Sequence, residues 1–387
     1  MDDGLTRCLV KLRHLAAALA AVASTAVQAG PPAPPPPSGL YLGGDLSYVN
    51  EMEDCGAVYR VHGKRIDPFK LLKREGGNIV RVRIWVNPTW TKYSTYSDVL
   101  KTIGRAHAAG MQALLDFHYS DDWADGGKQI APAAWAKLTT DEQAKALHDY
   151  TLDTLRKLDA DGAMPEMVQV GNETNPELLG GKVPGPPINW ERNARLLNAG
   201  IIAVQEAGRT GSIAPRIMLH IAQPENVLPW FDAATKAGVK GYDLVGISYY
   251  KKWSKYSPEQ LKATIAEAKR RYRKDVIVVE TGYPFTLKRA DTANNLLGED
   301  ALIPGYPATP EGQRRFMVAM TQLTIEAGGI GVVYWEPYWV STRCGTRWGK
   351  GSDWENATWF DYRRHEALPV FEWLRHKYRR SKPGERG

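Results

Sequence analysis

Cysteine is scarce in this 387-residue chain: Cys8, Cys55 and Cys344 are all it has, none in a C-x-x-C pair or beside a histidine at ligand spacing. A disulfide-scaffold protein and a zinc-built core are thereby excluded. Long apolar runs are missing too. Leu15 to Ala23 falls well short of the roughly 20 residues that cross a bilayer, so no membrane span is expected. Charge of one sign is also lacking in the body of the chain: of the net +7, residues 1–29 carry +1 and Arg375 to Gly387 carry +5, leaving +1. A nearly neutral body has no electrostatic footprint for nucleic acid. P-loop, serine-nucleophile and H-E-x-x-H patterns are absent, and no glycine-rich phosphate turn follows the first strand. With 43% hydrophobic and 24% charged residues, the composition is that of an ordinary globular protein, neither disordered nor fibrous.

Arg7, Lys11 and Arg13 precede the short apolar run, and Val27-Gln28-Ala29 supplies a small-x-small cleavage pattern. Residues 1–29 are therefore expected to be a signal peptide removed near Ala29, with the mature protein secreted to the periplasm or the medium. Pro31 to Ser38, nearly all proline, reads as a stiff linker over 30–39 with no capacity to pack. Residues 40–378 read as one folded domain, a monomer, and 379–387 as a disordered basic tail.

Within 40–378 short apolar runs alternate with helical stretches. Helix starts are signalled at Asp67-Pro68, at Ser97, at Thr139 with Glu142, at Asn189, at Leu228, at Ser257-Pro258 and at Thr309-Pro310. Eight strand-like runs lie between them, from Leu40 to Leu46 through Gly331 to Trp335, about 41 residues apart. The pattern predicts an α/β fold, a single (β/α)₈ barrel with enlarged loops after the strands.

In such a barrel, polar residues at the C-terminal ends of strands converge on one mouth. Asp45, Arg81, Arg83, His118, Asn172, Glu173, His220, Tyr249, Glu280 and Trp335 all fall there. Glu173 and Glu280, on strands four and seven, face each other across the ring. A carboxylic acid to protonate a departing oxygen and a carboxylate to attack the anomeric carbon are what glycoside cleavage requires, at a separation of about 5 Å if configuration is retained. Asn172 is placed to bind the sugar hydroxyl beside the reacting carbon, Tyr249 to hold the nucleophile, and Arg81 to keep it ionised. Thirteen tryptophans include Trp85, Trp90, Trp123, Trp253, Trp335, Trp339, Trp348 and Trp354 at or after strand ends, a supply of stacking faces for successive pyranose rings. Asp121 to Gly126 has a superficial calcium-loop look but lacks the distal glutamate, so no metal is assigned there.

The segments GGDLSYVNEMEDCG, VRVRIWVNP, LLDFHYSDDWADGGKQIAPAAW, VQVGNET, ISYYKKW, VVETGYP and VYWEPYW, in this order, resemble glycoside hydrolase family 53, the endo-β-1,4-galactanases. The resemblance runs from about Leu40 to Phe371. It implies a (β/α)₈ barrel, retention of configuration, Glu173 as acid/base, Glu280 as nucleophile, and β-1,4-galactan of pectic arabinogalactan as substrate. No cofactor is implied. The calcium of some relatives is not carried over, because Val340 to Asn356 offers only Asp353 and Glu355 as carboxylates, although a structural calcium stays open. After strand five, His220-Ile221-Ala222-Gln223-Pro224 departs from the family's Asp- and Gly-containing turn. Cys55 and Cys344 follow strands one and eight, neighbours in a closed ring, so a disulfide between them is a further expectation. The residues alone also admit a hydrolase of mannan, xylan or glucan, or a non-catalytic glycan-binding barrel.

Overall fold

The computed structural model describes residues 30–36, 38–183, 187–347 and 349–379. The expected signal, Trp348 and the tail beyond Arg379 lie outside them. Eight parallel strands close into a ring: β1 (Tyr41–Asp45), β2 (Ile79–Ile84), β3 (Gln112–Phe117), β4 (Met167–Val170), β5 (Arg216–Ala222), β6 (Leu244–Tyr249), β7 (Asp275–Thr281) and β8 (Gly331–Tyr334), with β8 pairing back to β1. Around the ring run α2 (Pro68–Arg74), α3 (Tyr96–Ala108), α4 (Thr140–Ala160), α5 (Trp190–Thr210), α6 (Pro224–Lys236), α7 (Pro258–Tyr272) and α8 (Pro310–Glu326), while a short α1 (Val49–Asp54) lies in the first loop.

The strand period of two explains which residues line the interior. In β2, Val80, Val82 and Ile84 pack outward against the helices, whereas Ile79, Arg81 and Arg83 belong to the inward phase. Tyr41, Ile79, Leu114, Met167, Met218, Leu244, Ile277, Val279 and Val333 together form a dry plug inside the ring. One step further along the strands the inward positions turn polar at Arg81, Asp116, Gln169 and His220, and on β6, past Gly246, at Ser248. All the chemistry therefore sits above the plug, at the C-terminal ends.

Two local irregularities aim the glutamates. Pairing of β6 with β7 shifts by one residue between Ile247 and Ser248, so that Ser248 partners Glu280 and not Val279. This bulge lets Val279 and Glu280 both turn inward, where strict alternation would send Glu280 out. After β4, Gly171 and Glu173 take φ of +83° and +43°. The left-handed backbone at a residue with a β-carbon is a strained arrangement held by its surroundings.

Helix starts follow their caps. Thr139 with Glu142 and Ser257 with Gln260 form complete capping boxes, and Asp67 and Thr309 cap helices that open with Pro68 and Pro310. Two starts differ from expectation. Helix α3 begins at Tyr96 after Thr95, with Ser97 already inside its first turn. Helix α6 begins at Pro224, and Pro229 lies within it, because Pro224 opens the helix immediately after the turn at Gln223.

The proline run also departs from expectation, since residues 30–36 lie against the barrel. Gly30 N–H donates to the Gly208 carbonyl, Ala33 N–H to that of Ala214, and Gln112 Nε2 to the Pro34 carbonyl. A polyproline strand keeps its carbonyls and half its edge available, which is enough to dock on a neighbour. Cys55 and Cys344 form a disulfide with Cα atoms 5.7 Å apart. At the other end, Arg379 exchanges two hydrogen bonds with Gln322.

Candidate active site

A cleft of about 650 Å³ opens above the ring, with Glu173 and Glu280 in its floor. An oxygen of each, with a ring nitrogen of His220, lies within 4.8 Å of the others. That separation is the one at which one carboxylate reaches the anomeric carbon while its partner reaches the departing oxygen.

Arg81 is the hub beneath them. Its guanidinium is 1% exposed and bonds Asp45 Oδ2 at 2.8 Å, Asp116 Oδ2 at 2.7 Å, Asn172 Oδ1 at 2.8 Å and Glu280 Oε1 at 2.8 Å. One buried cation thus serves three carboxylates. Tyr250 donates its hydroxyl to the other oxygen of Glu280 at 3.2 Å. Burial pushes the carboxyl of Glu280 well up from the ordinary range, and the Arg81 charge opposes that push. Among the described residues no cation is in contact with Glu173. Burial raises its carboxyl as well, with hydrogen bonds from Ser248 and from Gly126 N–H, at 3.1 Å, pulling the other way.

His220 is buried and held well below its usual pKa by desolvation and by Arg81, so it is neutral. Its Nδ1 meets Gln169 Nε2 and Asn172 Oδ1 at 3.0 Å each, and its Nε2 meets Ser248 Oγ at 2.8 Å. His118 has Nε2 at 2.9 Å from Asp116, while its Nδ1 accepts from Ala124 N–H. It thereby ties the loop after β3 to the hub.

Aromatic rings wall the cleft. The Arg83 guanidinium lies 4.3 Å from the Tyr48 ring, 4.4 Å from Trp123 and 5.0 Å from Trp85, an arrangement in which cation–π attraction fixes the indoles. Trp123 meets Trp335 edge on at 5.9 Å, and Trp335 meets Trp354 at 4.6 Å. Trp253, 42% exposed, also lines the cleft and packs edge on against Tyr250, which in turn meets Trp354 at 5.9 Å.

Of the residues expected to bind substrate, Trp123, Asn172 and Trp335 line the cleft. Asp45, Arg81, Arg83, Trp85, His118 and His220 are at most 2% exposed, so they lie under or behind the wall, where they hold the residues that line it. Tyr249 is a correction. It occupies the outward phase of β6, is fully buried, and gives its hydroxyl to the Tyr256 carbonyl; Tyr250, one residue on, is the tyrosine that meets Glu280. Counting in twos from Leu244 leads through Gly246 and Ser248 to Tyr250. Asp116, Gln169 and Glu336, the last paired with Arg83 at 3.4 Å, also belong to the site; Asp116 and Gln169 announce themselves in the sequence as lone polar residues inside apolar strands.

Among the described residues, Glu173, His220 and Glu280 are the one group of three with metal-ligand atoms close together. The guanidinium already 2.8 Å from Glu280 opposes a second cation there. In the loops after β7 and β8, Asp291 accepts from Ser341 Oγ and Ser352 N–H, and Glu355 accepts from Ala290 N–H. Burial, with Asp291 adding to it, pushes the Glu355 carboxyl from 4.5 up to about 7. Between those values the folded protein keeps a proton that the unfolded chain has lost, so stability falls as pH rises through the window. Glu355→Gln is accordingly expected to stabilise by about 1 to 3 kcal/mol at pH 8 and not at all at pH 4, read as thermal midpoints at the two pH values.

A closed (β/α)₈ ring that presents two carboxyls at this distance beneath an indole-walled cleft defines a barrel glycoside hydrolase. Sequence comparison narrows the class: residues 41–374 match the model of glycosyl hydrolase family 53, and the chain belongs to that family. It is 53% identical over 372 residues to the arabinogalactan endo-β-1,4-galactanase of Cellvibrio japonicus, covering 95% of this chain and 97% of that one. Among solved structures, it matches the GH53 catalytic domain of Ignisphaera aggregans with a TM-score of 0.80 at 29% identity, over 91% of this chain and all of that one. It matches one of two fungal β-1,4-galactanases at 0.74, also at 29% identity, over 87% and 99%.

Proposed function

We propose that this protein is a retaining endo-β-1,4-galactanase that cleaves the galactan backbone of arabinogalactan. The observation that carries the reading is the pair of glutamate oxygens within 4.8 Å, one glutamate gripped by Arg81 and Tyr250 and the other, among the described residues, without a cation in contact. Glu280, whose charge these donors stabilise, attacks the anomeric carbon from below the sugar ring. Glu173 donates its proton to the glycosidic oxygen as the C–O bond breaks, and a galactosyl ester on Glu280 results. Glu173, now a carboxylate, takes a proton from water as that water displaces the ester, so two inversions give net retention. Asn172, held between Arg81 and the Ala124 carbonyl, is the group beside the 2-hydroxyl. An open cleft lined by several indoles suits a polymer laid through it, hence cleavage within the chain.

The named activity of the 53% identical relative supports galactan as the substrate. Export to an oxidising compartment is supported by the Cys55–Cys344 disulfide. Among the described residues no helix is long and apolar enough to cross a membrane. A panel of galactan, mannan, xylan and carboxymethyl cellulose tests the substrate: new reducing ends are expected from galactan alone, with a steep early fall in viscosity. Intact galactan beside a degraded second polymer rejects the reading.

A further inference from the structure

The loop after β3 folds over Glu173 and is clipped there. Lys128 and Gln129 pair antiparallel with Gly181 and Lys182 of the loop after β4, and Val183 N–H reaches the Gly127 carbonyl at 2.8 Å. At the centre of the clip lies Gln129, 2% exposed. Its Nε2 donates to the Asn172 carbonyl at 2.8 Å, the Asp125 carbonyl at 3.1 Å and the Glu173 carbonyl at 3.3 Å.

These three acceptors have something in common. The Glu173 and Asn172 carbonyls flank the strained backbone turn, with its φ of +43°, that aims the Glu173 side chain. The Asp125 carbonyl belongs to the same peptide unit as Gly126 N–H, which donates to Glu173 Oε2 at 3.1 Å. A trans peptide is planar, with C=O and N–H pointing opposite ways, so pinning the oxygen on Gln129 turns the N–H toward Glu173. One side-chain amide therefore fixes both the backbone that carries the carboxyl and the donor that meets it.

We propose that Gln129 is a positioning residue for the leaving-group proton transfer, acting through Glu173 and not on the sugar. The inference rests on the acid/base reading of Glu173. Gln129→Met keeps the length and removes the donor; Gln129→Glu keeps the shape and turns an acceptor toward three carbonyls.

For both variants, kcat on galactan is expected to fall roughly 10- to 100-fold with KM within about two-fold, the loss belonging to proton transfer and alignment. A dinitrophenyl β-galactobioside, whose leaving group departs without a proton, is expected to keep kcat/KM within about three-fold, because that ratio reports only the first bond cleavage. Gly126 N–H favours the ionised carboxyl, so its misalignment raises the Glu173 pKa and moves the alkaline limb of kcat/KM on galactan to higher pH. Equal losses on both substrates, a change confined to KM, or unchanged kcat on galactan overturns the proposal. Glu173→Ala, assayed in parallel, separates the two readings. If it loses galactan but spares the dinitrophenyl substrate, the acid stands and the Gln129 variants judge the proposal alone; if it cleaves galactan normally, the acid reading falls and the proposal with it.

Discussion

Glu280→Ala is expected to lower kcat on galactan by roughly 10⁴-fold or more, and sodium azide is expected to restore turnover of an activated aryl galactoside. In the proposed double displacement, removing the carboxylate deletes the one group that bonds to the anomeric carbon, and the space it leaves lies on the face opposite the departing oxygen. Azide entering that space forms a C–N bond as the C–O bond breaks, a single displacement, so the product is the α-galactosyl azide. Anomeric configuration is read by proton NMR. A β-azide, or normal turnover without azide, removes Glu280 from the nucleophile's place.

The second large effect is expected at Arg81, which never meets the sugar. Arg81→Met leaves Asp45 and Asp116, buried under the cleft, and Glu280, at its edge, without their shared cation. Breaking a buried charge network from one side costs about 3 to 5 kcal/mol, far more than the intact network contributes, because the orphaned charges stay desolvated. Arg81 lowers both Asp45 and Glu280. A carboxyl held down in the folded state contributes stability above its unfolded pKa and loses it as pH falls through the folded one. For Asp45, which ends up lowered despite its burial, the deficit of the variant is therefore expected to be largest at neutral pH and to shrink in acid. At Glu280 the same loss raises the pKa of a group that must be ionised to attack, so the acid limb of the rate profile moves to higher pH. Denaturant midpoints at pH 4 and pH 7, with the rate profile alongside, check both. A variant as stable as the parent at pH 7, with an unmoved acid limb, refutes the hub.

The distinction between site residues that were legible in the sequence and those that were not follows the physics of each. Glu280 follows its apolar run directly and Glu173 comes three residues after Val170, and the ring places any residue at a strand end over the same mouth. Asp116 and Gln169 carry a weaker signal, a polar residue inside an apolar strand, which is informative only once inward and outward phases are assigned. Tyr249 and Tyr250 show how much rests on that phase: a shift of one residue moves a hydroxyl from the outer layer to the nucleophile. The bulge that turns Glu280 inward leaves no trace in composition, since it is a property of how β6 and β7 pair. Gln129 lies in a loop, where no periodicity applies, and its three acceptors are backbone atoms identical in every residue. The (β/α)₈ ring itself was readable because helix caps and apolar runs repeat on the scale of one strand and one helix.

The bond between Cys55 and Cys344 joins segments that leave the first and last strands, 289 residues apart. A ring of strands has one seam where the two ends of the chain meet, and here that seam is sewn covalently. A protease that nicks any loop between the two cysteines cuts the polypeptide without parting it, because both pieces remain on one molecule. The cost of a single cut is thereby reduced to a local gap in an otherwise closed hoop.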